Sequence, residues 1–180
     1  WPDTMSTSYP PKKHAWLFAL AALLFALGLA ACDSGAPAAQ LNSGQPAPAF
    51  QTVALDGAPV HFPAAFVGKP LVIRFWADWC KYCEGEMKAI ENVYQRHRSR
   101  GLEVLAINAG QDKPAVAAFM KKIGVSYPAL LDEQSKIARG YGVVGLPTTY
   151  FVDALGTVRG KIVGEADEAT FERQVAELLK

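Results

Sequence analysis

The stretch FWADWCKYCEGE, residues 75–86, constrains the fold more than any other part of this sequence. It overlaps an apolar run rich in β-branched and aromatic residues, KPLVIRFWA at 69–77, which predicts a buried strand. After it, Met87, Ile90, Val93 and Tyr94 recur at spacings of three and four residues, which predicts an amphipathic helix over residues 84–100. Two cysteines separated by two residues therefore fall where a buried strand gives way to a helix.

The position of Cys80 and Cys83 favours thiol chemistry. At a helix N-terminus, unpaired backbone N–H groups and the positive end of the helix dipole stabilise a thiolate over a thiol. Lys81 adds a cation beside Cys80, and we expect it to stabilise the thiolate further. One helical turn separates the two cysteines, so Cys83 can reach Cys80 and close a ring. We predict that Cys80 attacks and Cys83 resolves.

Two other uses of the cysteine pair fit the sequence less well. A structural zinc site needs four ligands, and His61 and His97 do not lie at ligand spacing from the pair. A purely structural disulfide that closes so short a loop removes little entropy from the unfolded chain. We therefore predict redox exchange, with neither a metal nor another cofactor.

The N-terminal residues indicate export. Met5 is the first methionine, and Lys12 and Lys13 precede the apolar run AWLFALAALLFALGLAAC, which has the length of a signal-peptide core and is slightly short for a membrane span. The run ends in LAAC at residues 29–32, which resembles the lipobox of bacterial lipoproteins, in which the peptidase cleaves before the cysteine. The alternative is an uncleaved transmembrane anchor. Both interpretations put the rest of the chain outside the cytoplasm.

The lipobox interpretation divides the chain into three parts. Residues 1–31 form a signal peptide, residues 32–45 contain the lipidated Cys32 and a flexible tether rich in small residues, and residues 46–180 form the folded domain. Asp33 resembles the inner-membrane retention signal of enterobacterial lipoproteins. We therefore expect the domain at the periplasmic face of a bacterial membrane, with the inner membrane favoured.

The charge pattern argues against a nucleic-acid partner. Cleavage before Cys32 would leave equal numbers of basic and acidic residues, and RHRSR at 96–100 is the only basic cluster. Neutralising phosphates takes a basic patch or stripe, which this sequence lacks.

The remaining segments alternate between strand and helix patterns, which predicts an α/β sheet with right-handed crossovers. Apolar runs at 101–110 and 127–132 indicate strands, and periodic patterns at 113–124 and 166–180 indicate helices. Two further strands are predicted within 149–164, joined by a turn at 154–156.

A strand, then WCxxC, then a helix resembles the thioredoxin fold. More specifically, the chain resembles the TlpA/ResA-like branch of membrane-tethered, extracytoplasmic thiol-disulfide oxidoreductases, within the AhpC/TSA redoxin-like superfamily. The resemblance runs from about residue 44 to 180 through GQPAPAFQTVALDGAPV, FWADWCKYCEGE, a strand-helix insertion at 104–131 and YGVVGLPTTYFVDALGTV. It implies a central mixed sheet of about five strands flanked by helices, with an N-terminal β-hairpin at 50–61.

The resemblance also implies roles for residues around the cysteines. Cys80 would be the nucleophile and Cys83 the resolving thiol, joined by a redox disulfide when oxidised. Pro147 resembles the cis-proline that faces the disulfide in this fold, and its neighbour Leu146 would pair with an extended substrate segment. Trp79 fits the rim of the active site.

Glu86 matches an acidic residue that this branch carries on the active-site helix. There it would tune the thiol pKa or accept the proton of Cys83, and the alternative is a solvated helix residue. Arg74 departs from the pattern, because thioredoxins keep a buried aspartate at that position. An arginine there could snorkel outward or pair with Glu86, and pairing would reduce the basicity of the carboxylate.

Three classes of function follow. The first is a monomeric enzyme that reduces disulfides of exported proteins, in cytochrome c maturation or on a partner redox enzyme, and is recharged by a membrane thiol-disulfide electron donor. The second is an oxidase that donates its disulfide. The third is a binding module, such as a copper chaperone or an inactive peroxiredoxin relative. The copper-chaperone pattern requires a downstream histidine, and none follows His97. We predict the reductase.

Overall fold

The computed structural model of the chain describes residues 41–180. The predicted signal peptide, the lipidation at Cys32 and the first part of the predicted tether lie outside these residues. Among the helices within 41–180, none is both long and apolar enough to cross a membrane.

Strands and helices alternate along this part of the chain. In order they are β1 (Phe50–Val53), β2 (Pro59–Phe62), β3 (Leu71–Trp76), α1 (Cys83–His97), β4 (Glu103–Ala109), α2 (Lys113–Ile123), β5 (Ala129–Asp132), α3 (Lys136–Gly140), β6 (Thr148–Val152), β7 (Val158–Val163) and α4 (Glu168–Leu178). Short 3-10 turns at Ala64–Phe66 and Arg98–Arg100 follow β2 and α1.

Five of the strands form one mixed sheet in the order β5-β4-β3-β6-β7. Strands β3, β4 and β5 are parallel, whereas β6 runs antiparallel to both β3 and β7. Strands β1 and β2 form a separate antiparallel hairpin. The predicted α/β architecture, with a five-stranded sheet and an N-terminal hairpin, is confirmed.

Strand β3 is the central strand of the sheet, and apart from Arg74 its side chains on both faces are apolar. All six of its residues are buried, and successive side chains point to opposite faces. Val72 and Trp76 pack on the face covered by α1, α2 and α4, where the Trp76 ring stacks on Phe119 with centroids 4.7 Å apart. Ile73 and Phe75 pack on the opposite face. The strand that leads to Cys80 is therefore fixed from both sides.

Helix α1 begins at Cys83 and buries the predicted stripe of Met87, Ile90 and Val93. The sequence predicts a helix that continues to residue 100, but the α-helix ends at His97 and one 3-10 turn follows. Gly101 then adopts a left-handed conformation with φ 89°, which ends the helical path and which glycine adopts at no steric cost.

Segments outside the sheet bond to parts of its two edge strands, β5 and β7. At one edge, after β1, the Leu55 N–H donates to the Ala129 carbonyl at the start of β5 (2.9 Å), and Ala54 forms a bridge with Leu130. At the other edge, the Gly44 N–H donates to the carbonyl of Val158 in β7 (2.8 Å). Leu41 is also buried, so the packed domain begins before residue 46, where the sequence predicts its start.

Two lysines hold Glu84, in the first turn of α1, in its ionised form. Its carboxylate accepts hydrogen bonds from Lys122 of α2 (2.6 Å) and from Lys88 (2.9 Å). The bond from Lys122, followed by that from Lys88, lowers the pKa of Glu84 to about 2. A carboxyl whose pKa is lowered on folding stabilises the fold above its ordinary pKa, about 4.3 for glutamate. This stabilisation is lost as the pH falls towards the lowered value.

We expect Glu84→Gln to lower the urea midpoint slightly at neutral pH, because exposed ion pairs contribute little. The difference between wild type and variant narrows as the pH falls below the ordinary glutamate pKa and disappears near the lowered pKa of about 2. Urea unfolding at a series of pH values measures both effects. If the urea midpoints of wild type and variant differed by the same amount at every acidic pH, the lowered pKa of Glu84 would be contradicted.

Candidate active site

Cys80 and Cys83 are joined by a disulfide, with their Cα atoms 5.4 Å apart. Cys83 is the first residue of α1, and its N–H donates to the Cys80 carbonyl (3.1 Å). The relative exposure of Cys80 is 7%, whereas Cys83 is fully buried. Of the two cysteines, only Cys80 presents surface to a partner from outside.

The N-terminus of α1, where the cysteines lie, has no side-chain cap. Tyr82 occupies the N-cap position and makes no side-chain capping hydrogen bond. Uncapped N–H groups in a first helical turn are free to stabilise a negative charge, and the helix dipole acts in the same direction. The backbone around Cys80 and Cys83 is therefore suited to hold a thiolate.

A glutamine that the sequence analysis missed holds the turn between β3 and Cys80. Gln111 Oε1 accepts hydrogen bonds from the Asp78 N–H (2.8 Å) and from Asn108 Nδ2 (2.9 Å), while Gln111 Nε2 donates to Asp78 Oδ1 (2.6 Å). Asn108 is fully buried near the end of β4. A buried amide requires partners, so an asparagine within an apolar strand is the signal that could have revealed this network.

Pro147 directly precedes β6, and the Leu146–Pro147 peptide bond is cis. The register pairs Phe75 of β3 with Thr148 of β6, so Pro147 lies beside the end of β3 that leads to the cysteines. Pro147 is buried and Leu146 is half-buried. The structure thus brings the proline and the cysteines, which are more than sixty residues apart in sequence, to one end of the sheet.

Aromatic side chains close to Cys80 are exposed. Trp79 is 70% exposed and Tyr82 is 40% exposed. The Lys81 ammonium lies 5.0 Å from the centre of the Tyr82 ring, within range of a cation–π contact. Exposed aromatic residues beside a nearly buried sulfur provide a surface on which another polypeptide can pack.

Below this surface, Arg74 and Glu86 form a buried ion pair. Arg74 Nη2 lies 2.5 Å from Glu86 Oε2, and the side chains are 0% and 5% exposed. Burial lowers the pKa of Arg74, and the charge of Glu86 opposes this effect. The interpretation of Glu86 as a solvated residue and the outward path for Arg74 are therefore both wrong.

A disulfide of two cysteines separated by two residues, at a strand-to-helix junction beside a cis-proline, defines a thiol-disulfide oxidoreductase. Comparison with known proteins agrees. Residues 43–161 match the model of the AhpC/TSA family, and the chain belongs to this family.

Individual relatives give the same class. Thiol-disulfide oxidoreductase ResA of Geobacillus kaustophilus is 34% identical over 132 residues, which cover 73% of this chain and 75% of the relative. The solved thiol:disulfide interchange protein of Chlorobium tepidum is 34% identical, with a TM-score of 0.68 over 79% of this chain and 100% of its own. A secreted Mycobacterium tuberculosis disulfide oxidoreductase homologous to E. coli DsbE is 26% identical, with a TM-score of 0.65 over 72% of this chain and 96% of its own. The predicted TlpA/ResA-like membership is confirmed.

Proposed function

We propose that this chain is an extracytoplasmic protein-disulfide reductase that acts on exported proteins through Cys80 and Cys83. The observation that carries the proposal is the unequal burial of the two sulfurs, since only Cys80 has exposed surface. In disulfide exchange with a protein, one cysteine must meet the partner, while the other must be shielded until the mixed disulfide has formed.

The reaction proceeds in two exchanges. In the reduced enzyme, the Cys80 thiolate attacks one sulfur of a substrate disulfide, and the other substrate sulfur leaves as a thiolate that takes up a proton. Cys83 then loses its proton and attacks the Cys80 sulfur. This step breaks the mixed disulfide, releases the second substrate thiol and forms the Cys80–Cys83 disulfide. Two electrons pass to the substrate. A membrane thiol-disulfide donor then supplies two further electrons, which reduce the Cys80–Cys83 disulfide again.

Residues around Cys80 supply the substrate surface in this proposal. Trp79 offers an exposed aromatic face, and Leu146, which precedes the cis-proline Pro147, offers backbone to an extended substrate segment. Lys81 is exposed next to Cys80 and favours its thiolate by charge. A disulfide-bonded protein segment fits such a surface, because the exposed aromatic residues Trp79 and Tyr82 lie on either side of Cys80 in the sequence and offer it apolar contacts.

The location proposed for the enzyme is the periplasmic face of a bacterial membrane, with lipid attached at Cys32. The signal-like apolar run and the LAAC sequence support it. The likeness to a secreted disulfide oxidoreductase of M. tuberculosis supports export in general. At that location the enzyme reduces protein disulfides, such as one between the haem-attachment cysteines of apocytochrome c or the disulfide of an oxidised partner enzyme.

Trapping of mixed disulfides tests the proposal. We expect Cys83→Ala to accumulate covalent complexes between Cys80 and envelope proteins, because the resolving thiol is missing. Non-reducing electrophoresis followed by mass spectrometry identifies these complexes. The matched control is the double variant Cys80→Ala/Cys83→Ala, which should capture nothing. If Cys83→Ala captures no protein while the wild type remains active, the assigned roles are wrong.

The redox equilibrium with glutathione separates a reductase from an oxidase. A reductase should have a potential near that of thioredoxin, about −270 mV, whereas a strong oxidase such as DsbA lies near about −120 mV. A value close to the latter would assign the chain to the oxidase class instead.

A further inference from the structure

We propose that Arg74 and Glu86 act together as a positioning clamp for the redox reaction. The clamp holds the helix that carries Cys83 and the strand that follows Pro147 in one fixed arrangement. Glu86 then serves the reaction through this contact and does not accept the proton of Cys83. The inference rests on the proposed function, because it concerns the step in which Cys83 resolves the mixed disulfide.

The helix side of the clamp is Glu86. It lies in the first turn of α1, three residues after Cys83, so the two side chains are on neighbouring positions of one helix face. Both carboxylate oxygens are engaged: Oε2 with Arg74 Nη2 at 2.5 Å, and Oε1 with the N–H of Ala166 at 2.6 Å. Glu86 thereby ties the start of α1 to the sheet and to the segment before α4.

The strand side of the clamp runs through Arg74 to β6. Arg74 Nη1 donates to Thr149 Oγ1 at 2.8 Å, and these two residues are paired in the β3–β6 ladder. Thr149 is two residues after Pro147. One guanidinium therefore contacts both the helix that begins with Cys83 and the strand that begins after Pro147.

Burial makes the two charges depend on each other. Arg74 is fully buried and Glu86 is nearly so. A buried guanidinium without its carboxylate would remain as an uncompensated charge, which proteins tolerate poorly. A proton transferred from Cys83 to Glu86 would create this situation during every catalytic cycle. The contact therefore commits the Glu86 carboxylate to Arg74 and leaves the proton of Cys83 to an acceptor elsewhere.

The experiment compares Arg74→Gln, Glu86→Gln and the double variant Arg74→Gln/Glu86→Gln. The double variant removes both charges but keeps a polar amide at each position. The probe is the Cys80–glutathione mixed disulfide, and stopped-flow release of glutathione gives the rate of attack by Cys83. The equilibrium constant with glutathione and the urea midpoint are measured on the same samples.

We expect each single variant to slow glutathione release about tenfold to a hundredfold, as small misplacements of reacting groups do. The double variant should recover to within about threefold of wild type, since the two charges act mainly on each other. Glu84→Gln is the matched control, because Glu84 is in the same helical turn but pairs with Lys88 and Lys122 at the surface. It should release glutathione at the wild-type rate.

Three results would overturn the clamp. If the double variant is as slow as Glu86→Gln, the carboxylate itself handles the proton. If the single variants lose stability but keep the wild-type rate, the pair is structural only. If the double variant does not fold, each charge has an essential role apart from the other. If a single variant does not fold, the rate of glutathione release by the double variant still tests the clamp. Mixed-disulfide trapping by Cys83→Ala tests the proposed function separately.

Discussion

Cys80→Ser should abolish disulfide reduction, with only the background rate remaining. The serine hydroxyl does not form a nucleophilic anion at neutral pH, and Cys83 is fully buried, so it cannot replace Cys80 at a substrate disulfide. Turnover of a disulfide-bonded protein such as insulin, with dithiothreitol as the electron source, provides the measurement.

The matched variant Cys83→Ser should behave differently. It keeps the attacking sulfur, so each chain should form one mixed disulfide rapidly and then stop. Quenched-flow detection of this single event distinguishes the two variants. If Cys80→Ser retained turnover while Cys83→Ser failed to form the mixed disulfide, the roles of the two cysteines would be reversed.

Trp76→Ala should cost about 3–5 kcal/mol of folding free energy, in the range of large-to-small changes in protein cores. Trp76 is fully buried and stacks on Phe119, so the substitution leaves a cavity between β3 and α2. Within the part of the chain that the structure describes, its indole N–H has no hydrogen-bond partner. The lost folding free energy therefore comes from packing contacts and not from a hydrogen bond. Urea unfolding of the oxidised protein measures it.

Trp79→Ala supplies a control of the same residue type, three positions away. Trp79 is 70% exposed, so its removal should change the unfolding free energy by less than about 0.5 kcal/mol. It should nevertheless weaken turnover of protein disulfides if Trp79 forms part of the substrate surface. Equal destabilisation by the two substitutions would contradict the assignment of Trp76 to the core and Trp79 to the rim.

The sheet could be predicted from sequence because its strands and helices have clear apolar periods. The run at 69–77 and the stripe that begins at Met87 determine a buried strand followed by an amphipathic helix, and the cysteines lie between them. The helix end was predicted less well, since the last turn depends on the left-handed conformation of Gly101.

The polar contacts of the site could be predicted only in part. An arginine inside an apolar strand signals that a partner is needed, but several carboxylates could fill that role. The choice of Glu86 depends on how α1 packs against the sheet, which is a tertiary property. The bond from Asp78 to Gln111 likewise joins two loops that the sequence separates by more than thirty residues. Local periodicity carries no information about such contacts.

The bonds at the edges of the sheet have a consequence for the proposed action on other polypeptides. An edge strand with free N–H and C=O groups recruits extended chains and promotes aggregation. Here the segment after β1 bonds to β5, and the Gly44 segment bonds to the start of β7. Backbone pairing with foreign chains is thereby discouraged at β5 and at the start of β7. Extended segments of other chains are therefore kept from these parts of the sheet edge.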